Sequence, residues 1–369
     1  MQEKQYPFYI KSTVILFGIT LFIYALINLR DILVPISFSV IFAILLNPLV
    51  NKLKTRGISH VFSIVIAMLF AFIVFGALLY FLSSQIIGFG DNLPLLKTKF
   101  ASLLHELQEW LQAKFGLAIN KQVQLLNDAM SNSKAMLGQT VGTVFGTVAV
   151  IFLLPVYIFL LLFYKALILN FLYEVFAEEN TKQVGEILNQ TKTAIQSYMV
   201  GLLLEALIVA VLNSAALMIL GVNYAILLGV IGAILNMIPY IGGIIAIALP
   251  VLMATITKDG YGTQLGIIIA YAVIQFIDNN ILVPRIVSSK VQINALFSIV
   301  IVLLGGALWG VAGMFLSIPF VAILKIIFDR IDDLKPWGKL LGDEVPTRHK
   351  GQIWQRRRKK PSVAEKMVE

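Results

Sequence analysis

The 369-residue chain contains no cysteine, which excludes disulfides, thiolate nucleophiles and cysteine-based metal sites together. Its three histidines, His60, His105 and His349, lie far apart in polar segments, so neither a histidine metal cluster nor a nucleophile–histidine triad is expected. No GxxxxGK[ST] pattern occurs, which argues against direct ATP hydrolysis by this chain. Charge is scarce as well. Only 13% of residues are charged, against about 25% in an ordinary soluble domain. A soluble enzyme and a disordered regulator are both excluded on that ground. In place of charge the chain has 59% hydrophobic residues and a mean hydropathy of +0.87. This is the composition of an integral membrane protein.

A helix needs about 20 mostly apolar residues to cross the hydrocarbon core, because each adds about 1.5 Å and every backbone polar group must be bonded internally. Eight runs qualify: Ser12–Leu29, Ile32–Val50, Val61–Ile87, Val141–Tyr164, Gly201–Leu220, Tyr224–Ile256, Thr263–Val283 and Ala295–Phe328. The expected fold is therefore an all-α polytopic membrane protein with about eight transmembrane segments, some broken or re-entrant. The first run follows Lys4 and Lys11 but is too long for a signal h-region and leads directly into a second span, so it reads as an anchor. The expected organisation is a three-span membrane region (1–87), an extracytoplasmic helical domain (88–140) and a fourth span (141–164). A cytoplasmic amphipathic segment (165–200), a membrane core (201–328) and a basic tail (329–369) follow.

Basic residues in short loops set orientation. Lys52, Lys54 and Arg56 place the loop after the second span in the cytoplasm, and the tail cluster from Arg348 to Lys360 agrees, so both termini are expected inside. The tail serves topology in this reading, with no nucleic-acid partner. Arg285 and Lys290 disagree, since a plain eight-span count puts them outside. Either they are buried in protein or one long segment folds back.

Two polar intervals carry helical periodicity. Leu96, Phe100, Leu103, Leu107 and Trp110 share one face, as do Ile119, Val123, Leu126 and Met130, which predicts an outer helical hairpin broken at Gly116. Its apolar seam packs on itself, on the membrane or on another subunit. Val184, Leu188, Thr191, Ile195 and Tyr198 mark an amphipathic helix, with Asn180 and Gln183 spaced for a capping box.

Candidate site residues are the polar groups that lipid does not tolerate. Glu205 and Asp278 are the acids well inside apolar runs; each costs about 2.5–3.5 kcal/mol at mid-helix and must face protein or water. A proton, a cation or a solute hydroxyl would each suit them, and an ion pair between Asp278 and Arg285 is the structural alternative. Gln275, Asn279 and Asn280 flank Asp278, and Pro284 removes a backbone N–H before Arg285, predicting a span that ends in polar, non-helical backbone. Asn236, Pro239, Tyr240, Gly242 and Gly243 interrupt the sixth run, where a broken helix could offer freed backbone groups as ligands or simply kink for packing. The glycines Gly305, Gly306, Gly310 and Gly313 favour close helix packing. Both long runs pass from glycines to an apolar stretch with a proline, Pro250 and Pro319, a hint of an internal repeat.

Three stretches resemble the autoinducer-2 exporter family of bacterial membrane proteins. They are Tyr198-Met199-Val200-Gly201, Asn236-Met237-Ile238-Pro239-Tyr240-Ile241-Gly242, and the run from Asp278-Asn279 through Pro284-Arg285-Ile286 to Gly305, Gly310, Gly313 and Pro319. The chain departs from the family pattern at Leu202, where glutamine is frequent, and at Asn294-Ala295, where proline is frequent. The resemblance implies a multi-pass transporter of the bacterial inner membrane that needs no cofactor and assembles as a homo-oligomer, with a pentamer as the candidate assembly. It also implies one of two cargoes, an autoinducer-2-like polar solute linked to quorum sensing or sodium and lithium exchanged for protons. A non-transporting scaffold is the remaining alternative.

Overall fold

The computed structural model describes residues 7–90, scattered positions between 98 and 114, and residues 153–176, 181–238, 242–258, 260–287 and 293–343. Both apolar stripes of the outer hairpin, apart from Trp110, lie outside the described residues. So do Asn180, Pro239, Tyr240, Lys290 and the tail cluster from Arg348 to Lys360. Among the described residues the protein is all-α, with no strand.

Helix α1 (Phe8–Asn28) buries no residue, as expected of a span that is apolar on every face and surrounded by lipid. The chain turns at Leu29 into α2 (Arg30–Thr55), which carries Asp31 in its first turn and Lys52 and Lys54 in its last. Both signs match the helix dipole. Helix α3 (His60–Gly90) packs against α2 around Ile64 and Ala67. Next come α4 (Leu153–Phe163) and α5 (Lys165–Val175), bent by 64°. Helix α6 (Thr181–Ile219) has 39 residues. Its length of about 58 Å exceeds the hydrocarbon core by roughly a factor of two, so it does not lie wholly within the membrane. Its beginning is amphipathic, with Val184, Ile195 and Tyr198 buried. Asn180 of the expected capping box lies outside the described residues, and Gln183 alone is described. Gln183 donates to the Arg330 carbonyl, and Arg330 pairs with Glu186, which ties α6 to the end of α10 (Ala295–Arg330).

The interrupted run after α6 becomes two short helices, α7 (Ala225–Asn236) and α8 (Gly242–Thr257). At about 18 and 24 Å neither crosses alone. They fold back on each other. Gly232 faces Ala246, and Ala225 and Leu228 share a core with Met253 and Ala254, which is the pairing of an antiparallel hairpin. At its tip Gly242 comes so near that an added Cβ would sit 1.7 Å from the Leu235 carbonyl oxygen.

Helix α10 is a second hairpin. Trp309 and Gly310 leave helical geometry, Gly310 at φ +62°, where glycine alone is unstrained. The two legs then touch: Ser317 Oγ donates to the Ile301 carbonyl at 3.1 Å, and a Cβ on Gly305 would lie 2.5 Å from the Gly313 carbonyl oxygen. The small residues thus permit close packing within one segment. Trp309 Nε1 donates to the Leu26 carbonyl at 2.9 Å and fixes this tip against the end of α1. Asn294, the departure from the family pattern, caps α10 by accepting from the Phe297 N–H at 3.0 Å. Its amide holds the Leu340 and Gly342 carbonyls at 2.8 and 3.1 Å, closing the base onto α11 (Lys335–Leu341).

Helix α9 (Gly262–Ile277) runs antiparallel to α6, with Ile267 packed near Leu217 and Asp278 opposite Glu205. Arg285 consequently lies at the same end of the molecule as Lys54, Lys192 and Arg330. Because the α7–α8 hairpin returns instead of crossing, Arg285 no longer conflicts with the other basic loops.

Candidate functional site

Asp278 stands where α9 passes into a π-helix, Asp278–Val287. The sequence predicts non-helical backbone here, and the structure corrects this: the chain stays helical but winds wider. In an α-helix the Pro284 ring would collide with the carbonyl four residues back, and the wider π turn moves that carbonyl away.

Asp278 is 2% exposed. Its Oδ2 accepts from Asn236 Nδ2 at 2.9 Å and Gln275 Nε2 at 3.3 Å. Oδ1 is fully buried and has no donor among the described residues. Glu205, also buried, presents its carboxyl to Asp278 within hydrogen-bonding reach. No lysine or arginine pairs with either acid among the described residues, and Arg285 is exposed, so the Asp278–Arg285 ion pair does not form. Two buried carboxyls in contact without a cation are at rest only when a proton lies between them, since two bare carboxylates repel.

The polar face extends along both helices. Asn213 stands two turns beyond Glu205 on α6, and Tyr271 two turns before Asp278 on α9; both are buried. Asn213 Oδ1 and Tyr271 Oη have no hydrogen-bond partner among the described residues. With Asn236, Gln275 and Asp278 they border a cavity of about 10 Å³, the size of one water-sized particle. Gly232 keeps this space open: a Cβ there would come 3.4 Å from Asn213 Nδ2 and 3.7 Å from Tyr271 Oη.

The structure thus gathers Glu205, Asn236, Gly243, Gln275 and Asp278 from four helices. Gly243 lets the hairpin tip meet Gln275, whose Oε1 would be 3.0 Å from an added Cβ. Gly242 shapes the tip itself. Asn279 sits at the edge, accepting from Gln275 Nε2 at 3.2 Å. Asn280 turns away to donate to the Phe276 carbonyl at 2.8 Å, and Pro284 and Arg285 lie further along the π-helix, outside the cluster. Pro239 and Tyr240 belong to the hairpin tip but fall outside the described residues. Asn213 and Tyr271 escape a sequence reading that weighs acids and helix breaks. Their signal is the two-turn spacing from each acid, which repeats polarity on one helix face. No group of three histidines, cysteines or acids that could hold a metal ion occurs among the described residues.

The sequence profile of the AI-2E family transporter matches residues 13–333. The chain belongs to this family. It is similar to the AI-2 transport protein TqsA of Escherichia coli K12, with 25% identity over 315 residues covering 85% of this chain and 90% of the relative. Two Bacillus subtilis proteins provisionally named as transport proteins are comparable. YrrI is 26% identical over 318 residues, covering 81% of this chain and 86% of its own length. YueF is 26% identical over 315 residues, covering 80% and 82%. The protein is accordingly a multi-pass membrane transporter and not an enzyme.

Proposed function

We propose that this transporter moves a small polar solute of the autoinducer-2 kind across the bacterial inner membrane, coupled to protons through Glu205 and Asp278. The observation that supports the coupling is the buried Glu205–Asp278 contact with no cation beside it. A proton held between two carboxyls leaves when one of them gains another partner, so solute arrival or exposure to one face of the membrane changes its affinity. The hairpins suit alternating exposure: α7–α8 enters from one face and α10 from the other, and Met237 of the first tip and Trp309 of the second pack against one apolar cluster. Bringing a solute larger than one water to Asp278 requires the first tip to withdraw, which breaks the Asn236 bond. By the positive-inside rule the face carrying Lys54, Lys192 and Arg330 is cytoplasmic, as are both termini. The resemblance adds a homo-oligomer of pentameric type to this proposal.

A second reading, exchange of sodium or lithium for protons, is favoured by the cavity. About 10 Å³ bordered by Asn213, Tyr271 and Asp278 matches a bare monovalent ion better than an organic solute.

Proteoliposomes of the purified protein with a pH dye inside separate the two. Proton movement on a sodium or lithium pulse, absent in Asp278→Asn, selects cation exchange. Proton movement only with a polyol gradient, again absent in Asp278→Asn, selects solute coupling. Full activity in that variant overturns both.

A further inference from the structure

A second, larger cavity lies at the basic end of the molecule, between α2, the α4–α5 bend and the beginning of α6. Its volume is about 580 Å³, within the range of ligand pockets, and it shares Asn47, Leu162, Lys165 and Leu169 with an adjoining chamber of about 310 Å³. Lys165 and Lys192 border the first chamber, and Lys54 and Lys165 the second. Lys165 Nζ donates to the buried Asn47 Oδ1 at 3.1 Å, and its charge feels those of Lys54 and Lys192. Among the described residues no acid borders either chamber, and none of the three lysines forms an ion pair. Thr191 borders the larger chamber and His60 the smaller, and their Oγ1 and Nδ1 atoms are buried without a partner among the described residues. The remaining wall is apolar, including Val40, Ile44, Ile168 and Leu188.

Three like charges converging on a half-enclosed space repel one another, and an anion placed among them turns that repulsion into attraction. A compact anion with several acceptor oxygens meets the lysine donors. The apolar wall then needs an apolar continuation of the same ligand. We propose that this cavity binds a phosphate-bearing amphiphile, an anionic phospholipid of the adjacent leaflet. Its phosphate lies among Lys54, Lys165 and Lys192, and its acyl chain runs along α2 and α5. Basic pockets between spans at the positively charged face of a membrane protein recognise such headgroups in this way. The site is separate from Asp278, and the proposal stands whichever cargo the transporter carries.

The test titrates the full-length purified protein in detergent with phosphatidylglycerol, phosphatidylcholine or inorganic phosphate and follows its thermal transition. Phosphatidylglycerol is expected to raise the transition temperature, with phosphatidylcholine at the same concentration having little effect. In Lys165→Gln/Lys192→Gln the apparent affinity for phosphatidylglycerol falls at least tenfold. That variant removes mutual repulsion, so loss of folding is not expected, and Lys258→Gln/Lys339→Gln, at residues that line neither chamber, retains the full response. Leu188→Trp supplies a second check by filling the apolar arm, which weakens the lipid response while leaving the lysines in place. Equal protection by phosphatidylcholine, or an unchanged response in the double lysine variant, overturns the proposal. Protection by inorganic phosphate matching that of the lipid assigns the site to a free anion and overturns the lipid assignment.

Discussion

The hairpin formed by α10 makes a sharp prediction for Gly305→Ala. The added Cβ would stand 2.0 Å from Ser317 Oγ and 2.5 Å from the Gly313 carbonyl oxygen. Ser317 cannot merely rotate aside, because the Gly313 backbone blocks the same place. The legs must part by roughly 1 Å to reach ordinary contact, at an overpacking cost of about 1–3 kcal/mol. Ser317 Oγ then loses its hold on the Ile301 carbonyl, now at 3.1 Å, for about 0.5–1.5 kcal/mol more. The total is about 1.5–4.5 kcal/mol. Gly18→Ala is the control, since nothing lies within 4 Å of a Cβ at that lipid-facing position and the helix gains roughly 1 kcal/mol of propensity. Thermal inactivation followed by fluorescence-detected size exclusion compares the two. Gly305→Ala should be markedly less stable than wild type and Gly18→Ala at least as stable. Equal stability of the two variants would refute the close contact between the legs, and with it the fold-back at Trp309.

Other predictions follow from single contacts. Gly243→Ala pushes on Gln275 Oε1 at 3.0 Å; transport should fall several-fold while stability changes by less than about 1 kcal/mol, read by flux and thermal transition on one preparation. Trp309→Phe removes the bond to the Leu26 carbonyl and should cost about 1 kcal/mol, with accessibility to a water-soluble reagent rising at a cysteine placed at Leu26. The naturally cysteine-free chain also permits side-specific labelling. Cysteines replacing Lys54 and Arg285 should react from one face and a cysteine replacing Tyr261 from the other; Arg285 and Tyr261 reacting from the same face would remove the α9 crossing.

Much of the membrane architecture was legible because lipid leaves the backbone few choices. The apolar runs from Ser12 to Ile87 became α1 to α3, and those from Gly201 to Phe328 are helical through most of their described length. Glu205 and Asp278 stood out because an unpaired acid is costly there. What hydropathy does not carry is direction. A run of 33 residues, Tyr224–Ile256, has the same apolarity whether it crosses or turns back, and contacts such as Gly232 with Ala246 decide. The same holds at Trp309–Gly310, where the turn rests on two residues inside an unbroken apolar stretch. Arg285 held the clue, since its charge fits the basic face once one segment folds back. Asn213 and Tyr271 were invisible for a different reason: alone, an asparagine or tyrosine in a span is unremarkable, and their meaning comes from the acids two turns away on the same helices.

The central claim is that Glu205 and Asp278 share one proton and work as a unit. A double-mutant cycle of Glu205→Gln and Asp278→Asn, read as proton movement in proteoliposomes, tests it most directly. The account predicts that each single substitution abolishes coupled proton movement and that the double variant is no worse than either. Substantial proton movement surviving in either single variant, or independent losses that multiply in the double, would contradict it.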